Sequence, residues 1–128
     1  MTIMEMRVAL TTEEFEKAVT FYRDGIGLDA GALWTEHGMA QLLLAGRATL
    51  EIFDEKQANS IDQLEVGQRV SGPIRFAFEV ADVRAAVERA LKHGGKLVHE
   101  PVLTPWNDLN ARVQAPDGMQ ITLFQVMH

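Results

Sequence analysis

The sequence of 128 residues contains no cysteine. A disulfide scaffold, thiolate catalysis and a cysteine zinc site are therefore excluded. Basic residues are few: 12 Lys and Arg stand against 18 Asp and Glu, a formal net charge of −6. That balance argues against a surface built to hold phosphate backbones, so no nucleic-acid partner is expected. Long apolar runs are missing too. The longest apolar-rich stretch, residues 39–45, is broken by Gln41. It falls far short of the roughly 20 residues a membrane span needs. No basic stretch followed by an apolar run opens the chain, so the expectation is a cytoplasmic protein with no membrane partner. No Ser-His-Asp arrangement, nucleophile elbow or H-x-E-x-H cluster is visible. Gly25-x-Gly27 follows a helical pattern instead of preceding one, so it is no phosphate loop.

What is present suits a folded soluble chain: 47% hydrophobic and 23% charged residues. The length fits one domain, residues 1–128, able to bury roughly two-thirds of its unfolded surface. Alternation predicts a strand over residues 6–11, with Arg7, Ala9 and Thr11 on one face and Val8 and Leu10 on the other. Thr12 reads as the N-cap of a helix over 13–24, with Glu13 and Glu14 in its first turn. Phe15, Ala18, Val19 and Tyr22 form its buried stripe, and Gly25 and Gly27 end it. Three strands follow at 29–35, 39–44 and 48–54. Glu36-His37-Gly38 and Gly46-Arg47 are the turns between them. Residues 55–72 are polar and read as a linker with a short helical turn near 61–64.

The pattern then restarts. A strand over 74–80 leads into a helix opened by Asp82 and running to about His93. Its apolar face is Val83, Ala86, Val87, Ala90 and Leu91, and Gly94-Gly95 stops it. Strands follow at 96–103, 110–115 and 119–126, the last two joined by Pro116-Asp117-Gly118. Superposing Arg7 on Arg75 also superposes Ala9 on Ala77, Glu14 on Asp82, Ala18 on Ala86 and Gly27 on Gly95. After a small insertion, residues 50–53 fall on 121–124, which sets Glu51 against Thr122. The chain reads as a degenerate internal repeat of two βαβββ modules, about 5–54 and 73–127.

Three segments, FEKAVTFYRDGIGL, IRFAFEVADVRAAVERALKHGG and APDGMQITLFQ, resemble the vicinal oxygen chelate superfamily. That superfamily includes glyoxalase I, bleomycin-resistance proteins and extradiol dioxygenases. The resemblance implies an α+β fold in which two βαβββ modules form a curved mixed sheet around a concave site. It also implies a homodimer. In metal-dependent members a divalent ion sits in the concave face, and its ligand positions correspond here to Arg7, Glu51, Arg75 and Thr122. Only Glu51 is a plausible ligand. Arginine stays protonated and offers a metal no lone pair, and one carboxylate cannot hold an ion that wants three or four protein ligands. No metal and no other cofactor is expected.

The four histidines, His37, His93, His99 and His128, are scattered. His99 alone lies on a strand able to face the cavity. Arg7 and Arg75 stand at equivalent places with Glu51 between them. They form either a structural ion-pair cluster or a cationic pocket for a carboxylate, phosphate or enolate-like ligand, unless one of them points to solvent. Trp34 and Trp106 either stack a flat ligand or cover sheet edges or dimer contacts. The candidate binding set is therefore Arg7, Arg75, Trp34, Trp106, His99 and Thr122. The leading expectation is a metal-free protein of the bleomycin-resistance type that binds a small aromatic or anionic molecule. One alternative is a glyoxalase-like lyase or isomerase with Glu51 as catalytic base and an arginine at the oxyanion. Another is a dimeric structural module without a dedicated ligand.

Overall fold

In the computed structural model, which describes residues 2–26, 28–46 and 48–128, β1 (Glu5–Thr11) leads to α1 (Phe15–Thr20), which widens into a π-helical turn, Phe21–Ile26. β2 (Asp29–Trp34), β3 (Ala40–Ala45) and β4 (Ala48–Phe53) complete the first half. α2 (Glu55–Glu65) stands between the halves. The second half is β5 (Ile74–Glu79), α3 (Val83–Lys92), β6 (Lys96–Leu103), β7 (Asp108–Gln114) and β8 (Gln120–Val126). The expected βαβββ order is therefore borne out in both halves.

The eight strands form one sheet in the order β2-β3-β4-β1-β5-β8-β7-β6. Its two halves are arranged alike: β1 pairs parallel to β4, and β5 pairs parallel to β8. They join through an antiparallel β1–β5 ladder that sets Val8 opposite Phe76 and Ala9 opposite Arg75. Both modules thus pair within one chain.

Strand alternation divides the apolar residues between two faces. On the outer face α1 presents Val19 to Leu43 and Ile52, with Phe15, Ala18 and Tyr22 packed around them. There α3 presents Val83, Ala86 and Val87 to Ala111, Val113 and Leu123. Asp82 caps α3, accepting the Ala85 N–H at 3.1 Å. On the inner face Ala9, Ala40, Phe53 and Ile61 cluster beneath Trp34 and Trp106.

The structure differs from the sequence expectation in two helical regions. Thr12 is not the cap of α1; its Oγ1 accepts the Glu14 N–H at 3.1 Å, a tight turn ahead of the helix. Gly25 falls within the π-helical turn, and Gly27 and Arg47 lie outside the described residues. The larger difference is the polar stretch after β4, which holds an 11-residue helix, α2, where a connector was expected. Asp54 caps it by accepting the Gln57 N–H at 2.7 Å. Its buried residues include Gln57, Asp62 and Glu65. Buried polar side chains made the segment look like a solvated link.

Candidate functional site

A cavity of about 290 Å³ lies on the concave face of the sheet. Its lining comes from β1 to β5, β7 and β8 and from Trp106 in the turn before β7, with α2 laid across it. Gln57, Ile61 and Glu65 of α2 line it, at the i, i+4, i+8 spacing that places them on one helix face. Phe53 and Phe124 supply aromatic wall, as do Trp34 and Trp106. The indoles meet edge to face, with centroids 5.6 Å apart and planes at 77°.

The two arginines do project into this space. The Arg75 side chain is buried, and its Nη1 donates to Thr122 Oγ1 at 2.6 Å. Thr122 Oγ1 in turn donates to Glu65 Oε1 at 2.8 Å. The Arg75 guanidinium carbon lies 5.7 Å from the centre of the Phe53 ring. Burial pushes the Arg75 guanidinium below its ordinary value, against the pull of Glu65 and Glu51. Arg7 Nε donates to Glu5 Oε1 at 2.9 Å, and its guanidinium lies over Phe124 at 5.0 Å.

Glu51 lies beside these groups without a close partner. Its nearest ion-pair contact is Arg7 Nη1 at 3.8 Å, and its carboxylate makes no hydrogen bond among the described residues. Burial raises the Glu51 carboxyl above the usual carboxylate range, outweighing the pull of Arg7 and then Arg75. Asp108 is raised as well, by burial first, with Arg7 and the Trp106 indole acting the other way. A carboxyl that gives up its proton reluctantly, near guanidinium donors, has the chemistry of an acid–base group.

Behind the cavity, Glu65 is held from below. Arg112, 0% exposed, donates through Nη2 to Asp62 Oδ1 at 2.9 Å and to Glu65 Oε1 at 3.0 Å. Asp62 Oδ2 also accepts the Val70 and Ser71 N–H groups at 2.8 and 2.7 Å. Although burial acts to raise Asp62, the Ser71 amide, Arg112 and the Val70 amide together hold it below its ordinary value. This network anchors α2 to β7 and β8 and fixes one wall of the site.

Of the residues expected from sequence, Arg7, Glu51, Arg75, Trp34, Trp106 and Thr122 all line the cavity. His99 does not. It lies on the edge strand β6 between two register shifts, with its ring Nδ1 2.7 Å from the Glu100 carbonyl oxygen. The irregular ladder turns that segment into a local hydrogen bond instead of toward the cavity. Sequence reasoning missed Gln57, Glu65, Asp108, Asn110 and Arg112. A signal existed for β7, where polar Asp108, Asn110 and Arg112 alternate with apolar Leu109, Ala111 and Val113. A signal also existed for α2: Asp54 followed three residues later by Gln57 is a capping-box spacing.

Two βαβββ halves joined in one curved sheet over a polar-floored cavity define the class of protein. The chain belongs to the Glyoxalase/Bleomycin resistance protein/Dioxygenase superfamily, whose family model matches residues 6–123. Among solved structures, it is similar to a hypothetical protein from Bacillus halodurans, at 13% identity and TM-score 0.71, over 95% of this chain and 93% of that one. It is similar to a superfamily member from Vibrio splendidus, at 14% identity and TM-score 0.67, over 97% and 99%. It is also similar to methylmalonyl-CoA epimerase from Mycobacterium tuberculosis, at 16% identity and TM-score 0.71, over 98% and 90%. Likeness at these identities establishes the fold. No curated protein matches the chain in sequence. No helix among the described residues is long and apolar enough to cross a membrane.

The residues at the metal positions do not fit a divalent ion. Arg7 and Arg75 bring positive charge and no lone pair. The Thr122 hydroxyl is already engaged, accepting from Arg75 and donating to Glu65. Only the Glu51 carboxylate offers a ligand atom there, and Glu65 is occupied by Arg112 and Asn110. Among the described residues no three His, Asp or Glu side chains converge as an ion would require.

Proposed function

We propose that the chain is a metal-free small-molecule-binding protein of the bleomycin-resistance type. Its ligand has an apolar or aromatic body and an anionic or strongly accepting head. The observation that carries this reading is the Arg75 guanidinium. It is buried at the cavity wall, yet of its five N–H donors only one is taken up by a side chain among the described residues, that of Thr122. Aromatic walls beside an underused guanidinium suit a flat anion, with the rings stacking its body and the fork binding its head.

The test is quenching of Trp34 and Trp106 fluorescence by benzoate and phenylacetate. Saturable binding is expected, weakened at least about tenfold in Arg75→Met, the scale of one charge-assisted hydrogen bond. Binding that is unchanged in Arg75→Met would remove the guanidinium from the reading.

The state of Glu51 favours a second reading. Its largely buried carboxyl, without a hydrogen bond among the described residues, holds its proton more firmly than usual and lies within reach of Arg7. In that reading Glu51 removes a proton next to a carbonyl, and Arg75 stabilises the enolate oxygen that forms. Turnover of methylglyoxal–glutathione hemithioacetal, lost in Glu51→Gln, is the supporting result. No turnover with or without Ni²⁺ or Zn²⁺ would leave binding alone.

A further inference from the structure

Two side chains in the cavity carry acceptors that no group among the described residues uses. Asn110 is 5% exposed and Gln57 is 3% exposed, and both line the cavity. Asn110 Oδ1 and Gln57 Oε1 are buried without a hydrogen-bond partner among the described residues. Leaving such an acceptor unpaired is costly, so native structures seldom do it without a reason.

The orientation of Asn110 is fixed by chemistry. Its Nδ2 donates to Glu65 Oε2 at 2.9 Å. The other Glu65 oxygen, Oε1, accepts from Arg112 and from Thr122. Glu65 therefore acts purely as an acceptor. A flipped Asn110 would set oxygen against oxygen, so Oδ1 is the end left over. Gln57 makes its main-chain bond to the Asp54 carboxylate, but its side-chain Oε1 has no partner among the described residues. On α2 it stands eight residues before Glu65, about 12 Å along the axis at 1.5 Å per residue. The two acceptors therefore mark different ends of the site.

We propose that Asn110 Oδ1 and the Gln57 amide are acceptor subsites for the bound molecule, which therefore carries hydroxyl or N–H donors on its apolar or aromatic body. This rests on the binding reading above and names the ligand class more closely. Arg7 and Arg75 recognise what accepts, while Asn110 and Gln57 recognise what donates. A plain apolar anion leaves the Asn110 and Gln57 acceptors unmet.

The experiment compares matched probes by tryptophan fluorescence. The 3- and 4-hydroxybenzoates and aminobenzoates are titrated against the corresponding methylbenzoates, which match them in size and keep the carboxylate. At least one donor-bearing isomer is expected to bind roughly three- to tenfold tighter than its methyl counterpart, the range of one neutral hydrogen bond. That advantage is expected to fall towards one in Gln57→Met or Asn110→Leu. Asn110→Leu also strips a donor from Glu65 and is expected to be less stable, so Gln57→Met carries the test if it fails to fold. Because Gln57 Oε1 is buried without a partner among the described residues, the melting temperature of unliganded Gln57→Met should equal or exceed that of the parent. A clear fall in that temperature would overturn the proposal. So would methyl and donor probes binding equally, which would mean that solvent satisfies both amides. Failure of every benzoate to bind would overturn the binding reading itself, and this inference with it.

Discussion

Trp34, on β2, and Trp106, in the turn between β6 and β7, lie edge to face with centroids 5.6 Å apart, although β2 and β6 are the two outermost strands of the sheet. Eight strands laid flat at about 4.8 Å would hold their outer members roughly 34 Å apart. The sheet therefore curls until β2 meets the turn that follows β6, and the indole pair lines the cavity. Trp34 is further fixed by its Nε1, which donates to the Glu36 carbonyl at 2.8 Å. Nearby, Gln41 Nε2 donates to the Gly31 and Ala32 carbonyls that the β2 bulge leaves without ladder partners.

A double-mutant cycle measures this closure. Trp34→Leu and Trp106→Leu each remove one ring, and urea unfolding gives the stability of each variant and of the pair. A coupling energy of about 0.5–1.5 kcal/mol is expected, the worth of an edge-to-face aromatic pair beyond its buried area. Strict additivity would show that the two ends of the sheet do not support one another.

Removing Arg112 should be far more damaging. Arg112→Met leaves Asp62 and Glu65, both 1% exposed, short of their buried counter-charge. Breaking one side of such a cluster costs about 3–5 kcal/mol. The parent protein should also depend on pH through Asp62. Its native carboxyl is held below the ordinary 3.8. The stability it contributes is therefore fully present above that value and lost as pH falls through the lower native one. Urea midpoints measured from neutral pH downwards should fall more steeply in the parent than in Arg112→Met. Equal slopes would show that Arg112 does not hold Asp62 ionised.

Glu51 has the opposite sign. Its native carboxyl is raised above the ordinary 4.5 by burial, so the protonated form suits the folded state. Its favourable contribution is fully present below 4.5 and is lost as pH rises through the native value. Glu51→Gln fixes a neutral side chain in the same place. The variant should match the parent in acid and become more stable than it as pH rises, levelling off once the parent carboxyl is ionised. Thermal melts across the pH range check this. A variant less stable than the parent at neutral pH would mean that the Arg7–Glu51 contact outweighs desolvation.

The βαβββ repeat could be read in the sequence because strands and amphipathic helices bury apolar residues at fixed periods. Arg7 and Arg75 superposed on each other, and both line the cavity. Half of the polar floor could not be read in this way. Gln57, Asp62 and Glu65 are buried on α2, but the burial of Asp62 and Glu65 depends on Arg112, Thr122 and Asn110 more than forty positions away. A periodicity rule that equates polar with solvated assigns such a helix to a linker. His99 failed for another reason: alternation predicts a face only while the ladder is regular, and β6 shifts register on either side of it.

Gly38 shows how a turn residue reaches the site, and replacing it is the sharpest test of how α2 is seated. Its φ is +120°, a conformation side chains rarely adopt. A Cβ there would stand 2.7 Å from the Gln57 Cα, closer still to the Gln57 nitrogen, and 2.8 Å from Asp54 Oδ1. Two of these three atoms are backbone of the first turn of α2 and cannot swing away as a flexible side chain would. The third belongs to the carboxylate that caps the helix. Gly38→Ala therefore brings backbone strain of about 1–3 kcal/mol and also pushes the start of α2 off the sheet. A loss of stability above that strain is expected by urea unfolding. Weaker quenching of Trp34 and Trp106 by benzoate should accompany it, because Gln57 and Ile61 move with the helix. Gly38→Ala with unchanged stability and binding would show that α2 does not rest on the β2–β3 turn.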